Sequence, residues 1–307
     1  MKIYNNYPIK RISWNGSGGG QVLNYYLPET YAELVELLKV MIVRKNSFEV
    51  VGYTSNLLFT ATYAPKHLIG TRLVNQYEIL DNIIICDCGV SVSKLSRDMV
   101  ELGVEGFEGL IDLPGTIASA VYGNASCYNC SISSMLISIE LLTCTGEVIR
   151  VSADALDFQT RSSALKRGTM NGIILKVFLR KRMGDLATIK KKSEYYRDNR
   201  KKTQPGPSKN LGSIFIPGKP TILFHFTRIL GRIYMLFCRE SDQRLLNLKR
   251  QQFVLKCLGY GDVAPYLEWG LNRYIWKDSD SYILFFKYIK LYRKLFKNSR
   301  LEIEIKR

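Results

Sequence analysis

Residues 106–129 read GFEGLIDLPGTIASAVYGNASCYN, a small-residue stretch too long and too poor in charge for an ordinary surface loop. A shorter stretch of the same character, Gly52-Tyr53-Thr54-Ser55-Asn56, lies between the β-branched pair Val50-Val51 and the apolar run Leu57-Leu58-Phe59. Both offer backbone N–H groups and small hydroxyls, with nothing bulky to block an approach. Such concavities bind phosphate oxygens, because amide dipoles supply positive potential without a mobile counter-ion. Two of them in one chain can clasp a long diphosphate cofactor, and a nucleotide-plus-ring cofactor such as FAD has the reach. The competing reading is two glycine-rich turns between strands.

The 307 residues suffice for two or three domains with sizeable cores. No uncharged apolar run is long enough to span a bilayer, and the N-terminus, MKIYNNYPIKRISW, lacks the apolar core of a secretory signal. Seven cysteines, an odd number, favour reduced thiols and a cytoplasmic setting. The net charge of +17 is unevenly placed. Residues 1–180 hold 16 basic and 16 acidic side chains, whereas residues 181–307 hold 28 and 11. The basic part should prefer anionic partners, namely nucleotide diphosphates, anionic lipid or nucleic acid, unless the charge only keeps the surface solvated.

Residues 1–24 read as an irregular lead with a glycine cluster. In LPETYAELVELLKVMIVRKN, Thr30 is placed as an N-cap and Glu33 as its partner, with Leu34, Leu37, Leu38 and Met41 forming a helical stripe. Strands follow through residues 68–90 with a turn at Asp81-Asn82, then a helix ending at Gly103. A hairpin around Thr145-Gly146 and a closing strand in GIILKVFLRKR come next. Residues 183–210 read as a charged, proline-containing linker, and 211–307 mix aromatic-rich strands and helices.

The two loops resemble those of the UDP-N-acetylenolpyruvoylglucosamine reductase family, which has the vanillyl-alcohol-oxidase (PCMH) type of FAD-binding fold. Gly52, Ser55 and Asn56 match its first loop; Pro114, Gly115, Thr116, Asn124, Ala125 and Tyr128 match its second. Tyr53 and Thr54 replace glycines, Asp112 stands where glycine is preferred, Ala118-Ser119 replaces a glycine pair, and Ser126-Cys127 replaces Gly-Ala. The resemblance thins between about 220 and 270. It implies FAD contacts at Gly52, Tyr53, Thr54, Ser55, Asn56, Leu57, Pro114, Gly115, Thr116, Ala118, Ser119, Asn124, Ala125 and Ile173, with no metal. DFQTRSSALKRG resembles the segment around the family's essential arginine, which falls on Arg161, with Ser163 on a serine and Thr160 replacing tyrosine. A guanidinium suits that role because its fork grips a carboxylate through two parallel bonds. Ser213, in Gly212-Ser213-Ile214-Phe215, falls on the proton-donating serine; Ile216 replaces a lysine, with Lys209 and Lys219 the candidates to take its place. In the last residues, LEIEIKR, Glu304 falls on a glutamate that faces the flavin. Alternation puts Glu302 on the same face and Leu301, Ile303 and Ile305 on the other.

The resemblance implies an α+β protein. Its expected divisions are a first FAD-binding lobe at 1–71, a second at 72–182, a linker at 183–210 and a substrate-binding domain at 211–307. It implies a bacterial, cytoplasmic reductase of an enolpyruvyl nucleotide sugar, with NADPH as electron donor, serving cell-wall or surface-polysaccharide synthesis. A flavin-fold protein without chemistry and a flavin oxidase of the wider fold class are the alternatives. Cys127-Tyr-Asn-Cys130 and Cys86-Asp-Cys88 are close cysteine pairs, but two histidines make a zinc site a poor reading. TILFHFTRILGRIYMLFC, residues 221–238, reads as a core element, or else as a basic amphipathic segment lying on an anionic membrane surface. In YILFFKYIKLYRKLFK the aromatic residues recur at helical spacing, which means a packed face rather than a nucleic-acid surface.

Overall fold

Thr30 accepts a hydrogen bond from Glu33 N and starts the helix Tyr31–Val43, which buries Leu34, Leu37, Leu38 and Met41. These side chains pack on Ile69, Val74, Cys88, Leu142 and Leu175. One amphipathic helix thereby holds together two sheets. The first is four-stranded, in the order Lys2–Pro8, Gln21–Leu27, His67–Gly70, Glu49–Val51. The second is five-stranded, in the order Val148–Ser152, Leu136–Leu142, Ile173–Arg180, Ile83–Asp87, Tyr77–Ile79. The first sheet mixes a parallel core with an antiparallel outer pair; the second is antiparallel throughout.

The computed structural model describes residues 1–204, 210–277 and 281–307. The chain forms two compact units: 1–11, 20–54 and 63–202 make the first, and 12–19, 55–62 and 203–307 the second. Both sheets belong to the first unit. Two pieces of the region read as the first lobe, 12–19 and 55–62, belong to the second, where Leu57–Phe59 pairs in parallel with Glu304–Lys306. Asn15 Nδ2 donates to Leu57 O and Phe59 N to Ser17 Oγ, which fastens these pieces to each other.

Three expectations need correction. The irregular lead contains a strand, Lys2–Pro8, in register with Gln21–Leu27. Its residues alternate neither in polarity nor in burial; the Tyr7 and Tyr25 rings stack at 5.5 Å across the pair. Where composition predicts a linker, Leu186–Thr203 is an 18-residue helix, held to the first unit by buried Ile189 and Ser193 and by Arg197 donating to Asp112. Within that stretch, 205–209, with Lys209, lie outside the described residues. Finally, the apolar segment 221–238 is a helix, Ile222–Phe237, that buries only Thr227 and Gly231. It is not core; its neighbour Ser281–Leu295 is, burying Phe285, Tyr288, Ile289, Leu291, Tyr292 and Leu295.

Cys86 and Cys88 are fully buried, and burial pushes both thiols up, that of Cys88 to about 12. A protonated buried thiol is inert. A thiol reagent at neutral pH should therefore label exposed Cys144 and Cys257 quickly and leave Cys86 and Cys88 untouched until denaturant is added. Labelling of Cys88 in the folded chain would contradict its core position.

Candidate cofactor and substrate site

The strand Glu49–Val51 ends at Gly52, where the first small-residue loop meets the second. A Cβ on Gly52 would lie 2.5 Å from Thr116 Oγ1 and 2.9 Å from its Cγ2, so the Thr116 side chain takes the space that any residue but glycine would need. Thr54, buried and β-branched, has a φ of 57°, in the left-handed region that favours glycine. Asp112 has a φ of 59°, and its carboxylate accepts from Arg197 Nε at 3.0 Å. At both departures from the loop pattern, the backbone keeps the conformation suited to the glycine that the side chain replaces.

In the second loop, Thr116 caps the short helix Ile117–Tyr122. Thr116 N donates to Ser119 Oγ at 3.0 Å, and Ser119 N donates to Thr116 Oγ1 at 3.4 Å. Ile117 N donates to Val90 O and Ala118 N to Cys88 O. The expectation of free amides therefore fails at this helix start: all four, from Thr116 to Ser119, have protein acceptors. Among the described residues, no acceptor is found for the amides of Gly52, Tyr53 and Gly115. These three are the donors open to a phosphate. Ala125 N donates to Ala120 O and Ala125 O accepts from Ile132 N, so Ala125 contributes shape rather than a hydrogen bond. Pro114 is exposed, while Ala118 and Ile173 pack half-buried on the core beneath the loop.

Asn124 links this loop to Arg161. Its Nδ2 donates to Gln159 O at 2.9 Å, and Gln159 pairs with Ser162 across the turn that carries Arg161. Ser163, fully buried, donates to Tyr122 O at 2.7 Å and caps the next helical turn. Arg161 is thus strapped to the end of the Ile117–Tyr122 helix from both sides. Asn124 Oδ1 is buried and has no hydrogen-bond partner among the described residues, an acceptor that suits a ligand N–H or O–H. The sequence reading missed the brace behind the loop. Tyr196 stacks on Tyr128 at 4.6 Å, and Arg200 Nη2 donates to Cys127 Sγ at 3.2 Å. Spacings of three and four residues among Tyr196, Arg197 and Arg200 were the available signal.

The remaining assigned residues, Ser55, Asn56, Leu57, Ser213 and Glu304, lie in the second unit. Asn56 O accepts from Glu304 N at 3.0 Å, and Asn56 Nδ2 donates to Glu302 O at 3.0 Å. Glu302 N donates to Ile214 O, the residue after Ser213. The C-terminal residues therefore stitch the end of the first loop to the Ser213 segment. The single alternating strand expected here is not formed: the chain bends at buried Ile303 between the strands Arg300–Leu301 and Glu304–Lys306, and Leu301 and Ile305 are half-buried like Glu302 and Glu304. Gly212, at a φ of 72°, turns the chain into half-buried Ser213. Lys219 is exposed and Ile216 half-buried.

A family of FAD binding domains matches residues 23–152. The chain is similar to UDP-N-acetylenolpyruvoylglucosamine reductase of Caldicellulosiruptor saccharolyticus, 30% identical over 200 residues, which cover 64% of each chain. The same holds for the enzyme of that name from Clostridium tetani, 30% identical over 198 residues and again 64% of each chain. The chain thus matches less than two thirds of the length of these curated relatives. Its fold is that of the UDP-N-acetylenolpyruvylglucosamine reductase structure from Thermus caldophilus, with a TM-score of 0.67 at 19% identity, covering 99% of this chain and 98% of that one. The expected α+β, PCMH-type fold is therefore present, with an FAD-binding domain that contains both loops. Open amides, a glycine contact that admits no Cβ and an orphaned buried acceptor fit such a cofactor.

Gly52→Ala tests the cradle directly. The added carbon must push Thr116 out of its cap, and overpacking of this kind costs about 1–3 kcal/mol, which as a loss of FAD affinity is roughly 5- to 150-fold. Thr116→Ala removes the two nearest atoms and leaves Thr116 Cβ at 3.3 Å. In that background Gly52→Ala should cost little more than the lost cap, about 1 kcal/mol. Strictly additive losses of FAD would disprove the contact.

Proposed function

We propose, on the premise that this chain is a divergent member of the UDP-N-acetylenolpyruvoylglucosamine reductase family, that it is an FAD-dependent oxidoreductase which reduces an enolpyruvyl nucleotide sugar with NADPH. The observation that carries the reading is the meeting of the two loops at Gly52 and Thr116, with Arg161 tied to the second of them. FAD, when bound, would supply the two-electron chemistry that links NADPH to the enol ether. The rest of the chemistry belongs to the chain. Arg161 grips the substrate carboxylate and holds the electron density that the double bond releases. Ser213 Oγ gives a proton to the neighbouring carbon. Glu304 orients the ring of the cofactor. The sum is one NADPH and one proton consumed for each carbon–carbon double bond made single, with a lactyl ether as product.

The amides of Gly52, Tyr53 and Gly115 would hold the diphosphate; Ser55 and Asn56 are further contacts that the resemblance implies. The basic residues of 203–307 meet the anionic nucleotide of the substrate. The reaction belongs to peptidoglycan or surface-polysaccharide synthesis and to the cytoplasm; among the described residues no helix is long and apolar enough to cross a membrane. NADPH consumption with UDP-N-acetylenolpyruvoylglucosamine, followed by mass analysis of the sugar, tests the proposal. A gain of two hydrogens in the sugar is expected. NADPH consumption that is independent of the sugar and matched by oxygen uptake would favour a flavin oxidase instead.

A further inference from the structure

In the helix Ile222–Phe237, Ile222, Phe226, Ile229, Ile233 and Leu236 recur at three- and four-residue spacing, with Phe237 beside them. All six are exposed, Ile222 to 90%, Leu236 to 81% and Phe237 to 82%. The opposite face holds the helix to its own unit. Phe224 packs on Phe296, Tyr234 on Phe253, and Gly231 lies against Arg250 of the helix Gln243–Cys257. The apolar stripe is therefore no misplaced core; it points away from a face already packed. One flank of the stripe carries Arg228 and Arg232, both exposed. With Arg250 they line a cavity of about 380 Å³.

Among the described residues, none of these three guanidiniums has a carboxylate within ion-pair distance. The nearby acids are engaged elsewhere. Glu240 pairs with Lys249 at 2.7 Å, and Asp242 caps the second helix. Residues 221–257 hold seven basic side chains against these two acids. An apolar stripe flanked by cations is the pattern of a helix lying in a membrane interface, its apolar side sunk to the headgroup–acyl boundary. Guanidiniums suit phosphodiester oxygens, which they bind through paired N–H groups. A second copy of the chain fits the same face poorly. Two-fold pairing of the stripes would bring the arginine rows of two basic units together, and like charges in juxtaposition oppose association.

We propose that the helix Ile222–Phe237 docks the protein on an anionic phospholipid bilayer, with the cavity of Arg228, Arg232 and Arg250 taking a lipid phosphate. This holds whether or not the reductase reading does, since it rests on the exposed stripe of the helix and the guanidiniums on its flank. The test is co-sedimentation of the full chain with vesicles of phosphatidylcholine alone and of phosphatidylcholine containing phosphatidylglycerol. Binding is expected only to the anionic vesicles, and it should weaken as salt rises. Replacing all three residues (Arg228→Gln, Arg232→Gln, Arg250→Gln) should weaken it about 100-fold, roughly fivefold for each charge. Phe226→Ser with Ile233→Ser should abolish sedimentation with vesicles while flavin content and circular dichroism stay unchanged. Several results would overturn the proposal. One is equal binding to both vesicle types. Another is anionic binding that survives the serine pair, which would make the attraction a property of the whole basic unit. Arginine-dependent binding of inorganic phosphate without vesicle binding would make the cavity a soluble-anion site. Concentration-dependent dimers removed by the serine pair would assign the stripe to a second copy.

Discussion

Arg161→Lys is expected to reduce turnover by about 10²–10³-fold while the protein keeps its flavin. That is the scale for losing one positioned donor to developing charge. An ammonium keeps the charge but cannot make two parallel bonds to a carboxylate. The backbone is not what this variant tests, because lysine meets the same strain as arginine at a φ of 58°. The hydrogen bonds that hold the turn run through Asn124, Gln159, Ser163 and Tyr122, and all of these remain. Flavin spectrum and thermal stability should be unchanged. Near-normal turnover would remove Arg161 from the site.

Ser213→Ala should separate the two halves of the reaction. Reduction of the flavin by NADPH does not need the hydroxyl and should proceed at its usual rate. Reoxidation by substrate needs the proton and should slow by roughly 10²-fold or more. The serine ends a short strand, Asn210–Ser213, whose partner is Arg273–Ile275, and it is only half-buried, so alanine leaves the fold intact. Equal slowing of both halves would make Ser213 structural.

The elements legible in the sequence are those whose signals are local. Thr30 and the leucine stripe announce a helix and its buried face together. Gly146, at a φ of 85°, closes the hairpin that Thr145-Gly146 predicts. The loops were legible because a long run of small, weakly charged residues has few other uses. What the sequence hid depends on partners far along the chain. No composition tells that Ile117 N finds Val90 O, so the amide donors had to be read from the structure. The strand Lys2–Pro8 is exposed over most of its length and held by backbone pairing and tyrosine stacking, so it lacks an apolar period. Leu186–Thr203 is dense in charge because only Ile189 and Ser193 are buried; its helix formers were a weaker signal than its lysines. The helix Ile222–Phe237 misled in the opposite sense: an apolar stripe predicts a covered face, and only the fold reveals that none of the described residues of its own unit covers it.

The central claim is that the cradle around Gly52 and Thr116 holds a flavin that carries electrons from NADPH to an enolpyruvyl sugar. The most direct measurement is an anaerobic titration in two steps, following the blue absorbance of the bound flavin. NADPH should bleach it, and UDP-N-acetylenolpyruvoylglucosamine added afterwards should restore it with one equivalent of lactyl product. A colourless protein that refuses added FAD, or a flavin that NADPH bleaches and only oxygen restores, would contradict the account.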